Sequence, residues 1–259
     1  MDAQDLIIES KQDTSKANSQ QFDASLQVTV GYGVSASGSL SASKAKADYA
    51  SVNEQSGILA GDGGYGVTVK NNTNLIGGIV TSSQAAEDAG KNSFSTGTLT
   101  SIDVQNHADY SATGFGVSGS GGINGTGEKG KYQTAQGSSK TETQPDGTTT
   151  TVNPEGKAGA TASKAVGFGH DSGHEASTTA SGINTSNLTI TNTAGQAATG
   201  KSADQIKAEV ATGTTTDTVA LNSGHIANNY DAQAVQDEIN LQVKVTQAFD
   251  KTRQYAIVF

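Results

Sequence analysis

The sequence predicts a mainly β protein: a right-handed parallel β-helix with protruding alternating β-hairpins and a small α-helical C-terminal segment. Three observations indicate this architecture. Polar and apolar residues alternate over residues 22–42, short apolar clusters separated by turn residues follow over 52–104, and helical periodicity marks the last quarter. A β-sandwich is the alternative, because it also consists of many short strands joined by turns.

The composition favours a thin hydrophobic core. Of the 259 residues, 33% are apolar and 5% are aromatic, and there is no tryptophan. The chain has 32 glycines but only two prolines, which suits short strands and turns better than bundled helices. We therefore expect an elongated architecture that needs few inward side chains per strand.

Charge and cysteine content exclude several classes of function. The net charge of −9 argues against a nucleic-acid partner, because counterion release requires a basic surface. The absence of cysteine excludes disulfides and thiolate metal sites. Residues 1–9 contain neither a basic region nor a long apolar one, so we expect the secretion signal of an exported protein to lie upstream.

The first third of the chain predicts a strand, a connection and a hairpin. Leu6–Ile8 is a short apolar strand, and the polar residues 9–21 are expected to connect it to the alternating stretch. Within 22–42 every even position is apolar or small, and the odd positions are almost all polar. Gly31–Gly33 is the expected bend between two strands of this stretch.

The next region predicts stacked coils with glycine and asparagine corners. Apolar clusters recur over 52–104, at intervals of up to about twenty residues, as in a parallel β-helix. Gly61–Gly64 and Asn71–Asn74 are expected at the corners, where left-handed backbone angles are tolerated. Residues 111–170 then predict a second long hairpin, with a flexible loop over 124–156 between its arms.

The last quarter predicts two helices. Ser202 and Gln205 form a capping box, and Gly213 is expected to end the helix that follows. A second helix is expected from near Asp231. Its apolar positions are Val235, Ile239, Val243 and Phe249. We therefore divide the chain into a repeat region, 1–195, and a helical connecting segment, 196–259.

Neither of the two motifs that suggest catalysis or metal binding fits its usual context. The sequence GxGxxG at 114–119 is followed by further glycines, whereas a dinucleotide site needs a helix there. His170 and His174 have HxxxH spacing, but the glycines around them disfavour the helix that would bring both to one zinc ion. We predict no catalytic, cofactor or metal site, and no enzyme.

Several segments carry a resemblance to a known family. Residues 52–78 resemble the haemagglutinin repeat of filamentous haemagglutinin and of the CdiA family of contact-dependent growth inhibition effectors. Residues 92–110 are similar to the segment that follows in those proteins, and 197–211 with 227–239 are similar to the region before their pretoxin domain. The likeness is weak over 111–182, and no VENN-type pretoxin motif is present.

This resemblance implies a function. It implies a secreted protein on the bacterial cell surface, exported by a two-partner secretion transporter through upstream regions and carrying a toxin domain downstream. The region would associate with the target-cell outer membrane and help translocate the toxin. The alternative is a structural spacer or adhesin filament of a two-partner secretion haemagglutinin or haemolysin, with no role in translocation.

The alternating strands supply candidate residues for membrane association. About ten residues of alternating polarity are long enough to cross an outer membrane as a β-strand. The candidates are the larger apolar side chains of these stretches: Leu26, Val28, Val30, Tyr32, Val34, Phe115, Val117, Val166 and Phe168.

Overall fold

The computed structural model describes residues 1–30, 33–124, 140–143, 149–152 and 160–256. The strands are β1 (Asp2–Ala3), β2 (Leu6–Glu9), β3 (Asp13–Val30), β4 (Gly33–Ser51), β5 (Gly57–Leu59), β6 (Gly66–Ile76), β7 (Ile79–Thr81), β8 (Ser93–Ile102), β9 (Val104–Asn124), β10 (Lys140–Thr143), β11 (Thr149–Val152), β12 (Ala160–Thr179), β13 (Gly182–Ile183) and β14 (Leu188–Ile190). The helices are α1 (Gln84–Asp88), α2 (Thr193–Ala198), α3 (Ala203–Val210), α4 (Val219–Asn222) and α5 (Ala232–Ala256). The predicted class, mainly β with a helical C-terminal part, is confirmed.

The chain forms two compact units. Unit 1 comprises Met1–Lys16, Ala47–Tyr110 and Gly173–Tyr230, and unit 2 comprises Ala17–Lys46, Ser111–Ser172 and Asp231–Phe259. The predicted division between residues 195 and 196 stays a prediction.

Unit 1 contains two parallel sheets. One has the order β1-β6-β8-β14, with β2 also paired to β6, and the other has the order β13-β7-β5. The chain visits them alternately from β5 through β8, and again at β13 and β14. This alternation agrees with part of the sequence prediction, and the closed coils of a β-helix stay a prediction.

The core of unit 1 is thin, as the composition predicts. Its most buried side chains include Leu75, Phe94, Leu99 and Ile206, each no more than 1% exposed. Strand and helix residues thus share one cluster, because α3 turns Ile206 and Val210 toward the strands. Each strand contributes only a few inward side chains.

One predicted corner is correct and the other is wrong. The glycine corner precedes β6, and Gly64 adopts a positive φ of 68°, which favours glycine. Asn71–Asn74 lies inside β6 instead of at a corner. The pairing register of β6 with β8 shifts between Val69 and Asn72, so the strand accommodates the asparagines through an irregularity.

A buried glutamine continues the hydrogen bonding of β8 beyond its partner strand β14. Gln196 of α2 is fully buried, and its Oε1 accepts a hydrogen bond from the Leu99 N–H at 2.7 Å. Its Nε2 donates to the Leu99 carbonyl at 3.0 Å. One side-chain amide therefore satisfies both backbone groups of a buried strand residue.

A four-stranded sheet has the order β12-β9-β4-β3. β3 and β4 are antiparallel, since Lys16 Nζ lies 2.9 Å from Asp48 Oδ2 and the Ser25 and Ser39 hydroxyls lie 2.7 Å apart. The predicted 22–42 hairpin is therefore present, but β3 begins at Asp13. The predicted connection over 9–21 is wrong from that residue onward, because an exposed strand also accommodates polar side chains.

The second predicted hairpin joins the same sheet. β9 and β12 are neighbours, with the Ser120 and Ser163 hydroxyls 2.6 Å apart and the Phe115 and Phe168 rings 5.3 Å apart. These pairs show that the two strands are antiparallel. The predicted loop over 124–156 contains a short hairpin of β10 and β11.

The helical predictions are largely confirmed. Both hydrogen bonds of the Ser202 capping box are present, although α3 ends at Val210 rather than near Gly213. α5 begins at Ala232 and buries Ile239 and Val243. Phe249 was assigned to the same face, but its side chain is 71% exposed.

Candidate functional site

The sheet of unit 2 has two unlike faces, because its strands alternate side chains between them. One face packs against α5. Ala45 of β4, Ala112 of β9 and Ile239 of α5 are each 1% exposed and form one cluster, with Val235 packed against it. Small side chains on the strands let the helix lie close to the sheet.

Glycines bring the helix into backbone contact with the sheet. A Cβ at Gly167 would lie 2.1 Å from the Val243 carbonyl oxygen, and one at Gly169 would lie 2.7 Å from the Ile239 carbonyl oxygen. A Cβ at Gly114 would lie 2.4 Å from Ile239 Cγ2. Larger residues at these positions would displace α5. Gly114, the first glycine of the GxGxxG motif, therefore serves helix packing.

Polar side chains of α5 also hydrogen-bond to the backbone of β12. Asp250 Oδ2 accepts from the Val166 N–H at 3.1 Å, and Gln242 Oε1 accepts from the His170 N–H at 2.9 Å. Between them, Thr246 Oγ1 accepts from the Phe168 N–H at 2.8 Å and donates to the Phe168 carbonyl at 3.0 Å. We call Gln242, Thr246 and Asp250 the ladder.

The spacing of the ladder matches that of the strand. Four residues of a helix advance about 6 Å, and two residues of a strand advance about 6.6 Å. Side chains four apart on α5 therefore reach every second N–H of β12. The pKa of Asp250 lies below its usual value, chiefly because the Val166 N–H stabilises the carboxylate.

The opposite face of the sheet is apolar and exposed. It contains the even positions of β3, β4 and β12 and the odd positions of β9. The exposed large side chains on it are Phe22 (67%), Leu26 (80%), Val28 (58%), Val30 (74%), Val34 (42%), Leu40 (42%), Phe115 (42%), Ile123 (60%) and Phe168 (61%). We call these nine residues the apolar face.

Eight of the nine predicted membrane-association residues lie on this side of the sheet. The Phe115 and Phe168 rings are in contact across β9 and β12, and the register that joins Ser25 to Ser39 sets Val30 opposite Val34. Val117 and Val166 are half-buried on the same side. Tyr32 lies outside the described residues.

The sequence did not show that the two hairpins form one sheet. Each was predicted as a separate excursion, whereas β9 and β4 are neighbours and place both apolar sides on one face. The constant alternation of polarity along each hairpin indicates which side chains share a face of the sheet. Strand order, however, depends on contacts between residues distant in the sequence.

The histidine and glycine motifs fall on strands. His170 and His174 are both in β12, so the helical geometry that would pair them on zinc is absent. His174 Nδ1 instead contacts Asp109 of β9. Across the described residues, no group of three or more potential ligands from histidine, aspartate and glutamate could hold a metal ion. In the same described part of the chain, every helix is too short or too polar to cross a bilayer.

Comparison with known proteins identifies relatives over part of the chain. It is 43% identical over 121 residues to a tRNA nuclease CdiA of Escherichia coli strain NC101, which covers 46% of this chain and 4% of the relative. It is 37% identical over 149 residues to tRNA nuclease CdiA-2 of Burkholderia pseudomallei strain 1026b, covering 57% of this chain and 4% of the relative. A Toxin CdiA of Escherichia coli is 38% identical over 190 residues, covering 72% of this chain and 5% of the relative.

The chain thus matches about a twentieth of the length of these relatives. No model of a protein family matches the chain. No solved structure matches it either.

Proposed function

We propose, from the similarity of this chain to CdiA proteins over the segment that it shares with them, that it is an internal segment of a contact-dependent growth inhibition exoprotein. In this proposal the segment associates with the outer membrane of the target cell. It helps a toxin domain, located downstream in the full-length protein, to cross that membrane.

The apolar face is the observation that supports membrane association. Leu26, Val30 and Phe168 are each more than 60% exposed, and they belong to a set of large apolar side chains contributed by all four strands. Burial of such a side chain contributes about 1.5–3 kcal/mol. Transfer of this face from water to lipid therefore supplies a large driving force, while the polar groups of α5 stay on the other side.

Unit 1 suits the filament of the same exoprotein. Its two parallel sheets are visited alternately by the chain, and we propose that they are coils of a right-handed parallel β-helix. The filament would be secreted to the bacterial cell surface through a two-partner secretion transporter, which acts on upstream regions. Residues 196–259 would connect these coils to the pretoxin region.

The proposed role is not enzymatic and needs no cofactor. Some relatives are named tRNA nucleases, but the shared segment is about 4% of the length of those described above. We assign nuclease activity to regions of those proteins outside the match. The negative charge of this chain also disfavours binding to tRNA.

Partition onto lipid vesicles tests the proposal. In the variant Val28→Lys/Val30→Lys, each charge placed in the hydrocarbon costs up to about 2–4 kcal/mol. Two charges at about 2 kcal/mol each correspond to a roughly 1000-fold lower partition coefficient, since about 1.4 kcal/mol is tenfold. The measurement is co-sedimentation with vesicles made from outer-membrane lipids.

A matched control places the same charges on the other face of the sheet. The variant Ser35→Lys/Ser37→Lys lies on β4 with side chains on the α5 side, so we expect vesicle binding within about threefold of the unmodified chain. If neither variant changes binding, or if the unmodified chain does not bind vesicles, membrane association through this face is wrong.

The alternative is a spacer or adhesin filament without a translocation role. The parallel stacking of unit 1 supports it, because a filament requires only that coils stack on their neighbours. In that case toxin delivery by the full-length protein is unchanged when Val28 and Val30 are both replaced by lysine.

A further inference from the structure

The two edges of the unit 2 sheet are protected differently. β12 and β3 are the outer strands of the order β12-β9-β4-β3. An outer strand presents a row of N–H and carbonyl groups that can pair with a strand of another chain. Proteins usually cover such edges or place charges or prolines on them.

The β12 edge is covered over residues 166–170 by the ladder of α5. Its N–H groups at Val166, Phe168 and His170 are alternate residues on the outer side of the strand, and each is bound by one ladder side chain. These bonds occupy the donors that an added strand would need. The cover is made of side chains, so it is lost if α5 moves away.

The β3 edge lacks such protection among the described residues. Over 17–30 the only charged residue is Asp23, and there is no proline. Every residue over 21–30 is exposed, on both faces of the sheet. A long, exposed edge strand of alternating polarity is a site where another strand is expected to add.

The two edges are geometrically complementary. β4 and β9 are antiparallel, because Asp48 lies 3.6 Å from His107 while Ala45 packs with Ala112. Since all three neighbouring pairs are antiparallel, β3 and β12 run in opposite directions. If a second copy lies beside the sheet in the same orientation, the β3 strand of the second copy therefore runs antiparallel to the β12 strand of the first. The apolar faces of the two copies then lie on the same side.

We propose that α5 is a displaceable cap on the β12 edge, and that the uncapped edge pairs with the β3 edge of a second copy of this chain. Pairing of this kind is head to tail, because two different edges meet. It extends the apolar face from one copy to the next. The proposal does not depend on membrane association, since the pairing occurs between strands in solution.

The test removes the ladder in the 259-residue chain. The variant Gln242→Ala/Thr246→Val/Asp250→Ala keeps the buried contacts of Ile239 and Val243. Its matched control, Gln233→Ala/Thr252→Val/Asp237→Ala, makes the same three changes on α5, at side chains whose hydrogen bonds within the described part of the chain stay inside the helix. Light scattering over a concentration series measures the mass.

We expect the ladder variant to form dimers or larger assemblies as concentration rises, while the control stays monomeric. Hydrogen exchange at the amides of Val166, Phe168 and His170 should be at least tenfold faster at low concentration. In the assembly these amides should be protected again, together with amides of β3. Adding Gln27→Lys/Thr29→Lys, which places charges on the β3 edge, should restore the monomer.

A second variant removes the cap without removing a polar group. Gly167→Ala places a methyl group against the Val243 carbonyl oxygen and should displace α5, so the same assemblies are expected. The proposal is overturned if an uncapped variant that keeps the β-sheet signal of the unmodified chain in circular dichroism stays monomeric. It is also overturned if the uncapped variants assemble regardless of the lysines on β3, because the partner edge would then be a different one.

Discussion

Replacement of Gln196 by methionine should open unit 1 locally at Leu99. Methionine has nearly the same length as glutamine, so the change removes hydrogen bonds without leaving a large cavity. The Leu99 N–H and carbonyl both lose their partner, and Leu99 is itself fully buried. A buried backbone group without a partner costs about 1–3 kcal/mol.

Two such groups give a loss of about 2–6 kcal/mol, offset by about 1 kcal/mol for the greater apolarity of methionine. We therefore expect the free energy of local opening to fall by about 1–5 kcal/mol. This corresponds to faster hydrogen exchange of the Leu99 amide by a factor of about 5 to 4000. Native-state hydrogen exchange is the suitable assay, because a chain with two units need not unfold in one transition.

Two further variants make the result specific. Gln196→Glu keeps an acceptor for the Leu99 N–H but places a buried carboxylate against the carbonyl oxygens of Leu99 and Lys201, so local opening at this amide should be at least as easy as in the methionine variant. Gln233→Met, on the exposed side of α5, should change the free energy of local opening at Leu99 by less than about 0.5 kcal/mol. A change below about 1 kcal/mol for Gln196→Met would refute the assigned role.

Two other predictions concern unit 1. Gly224→Ala should lower the midpoint of thermal unfolding more than Gly200→Ala does. Both glycines have a positive φ, but of the two only Gly224 would bring a Cβ against a backbone atom, 2.2 Å from the Thr178 carbonyl oxygen. Equal losses would show that backbone strain alone decides the effect. The Lys201 ammonium lies 2.7 Å from the Glu209 carboxylate and holds the pKa of Glu209 below its ordinary value of 4.5. The contribution of Glu209 to stability is therefore present above pH 4.5 and is lost as the pH falls through the lower pKa of the folded state. The stability difference between the unmodified chain and Glu209→Gln should therefore shrink between about pH 5 and pH 3 in denaturant titrations, and a constant difference would contradict it.

Local pattern was sufficient to predict which way the side chains of the strands over 22–42 face. The period of two over 22–42 gave the two sides of β3 and β4, since successive side chains of a strand point in opposite directions. Capping chemistry at Ser202 likewise predicted the start of α3. These features depend on residues close together in the sequence.

Long-range pairing could not be predicted in the same way. Alternation does not determine which strand lies beside which, so the joining of two hairpins into one sheet was missed. The asparagines over 71–74 were assigned to a corner from their turn propensity, but the parallel partners β2 and β8 hold them in a strand. Strand pairing of β6 therefore outweighs the turn propensity of its asparagines.

The sequence carries a signal for the ladder. Gln242, Thr246 and Asp250 are polar residues four apart, beside the buried stripe of Ile239 and Val243. Such a polar stripe usually indicates a solvated helix face. The glycines at alternate positions of β12 were the second clue, because they indicate a strand that another backbone approaches closely.

The distribution of residue sizes between the two faces of the sheet favours a functional apolar face over a plain spacer. On the side that α5 covers, the buried strand positions are glycine or alanine, as at Ala45, Ala112 and Gly167. On the exposed side the chain carries larger side chains, such as Leu26 and Phe168. A sheet that served only to extend a filament in water would be more soluble with the opposite arrangement, since exposed apolar patches favour association. Large side chains on the exposed face contribute little to the stability of the isolated unit, which supports the proposal that this face contacts something outside it.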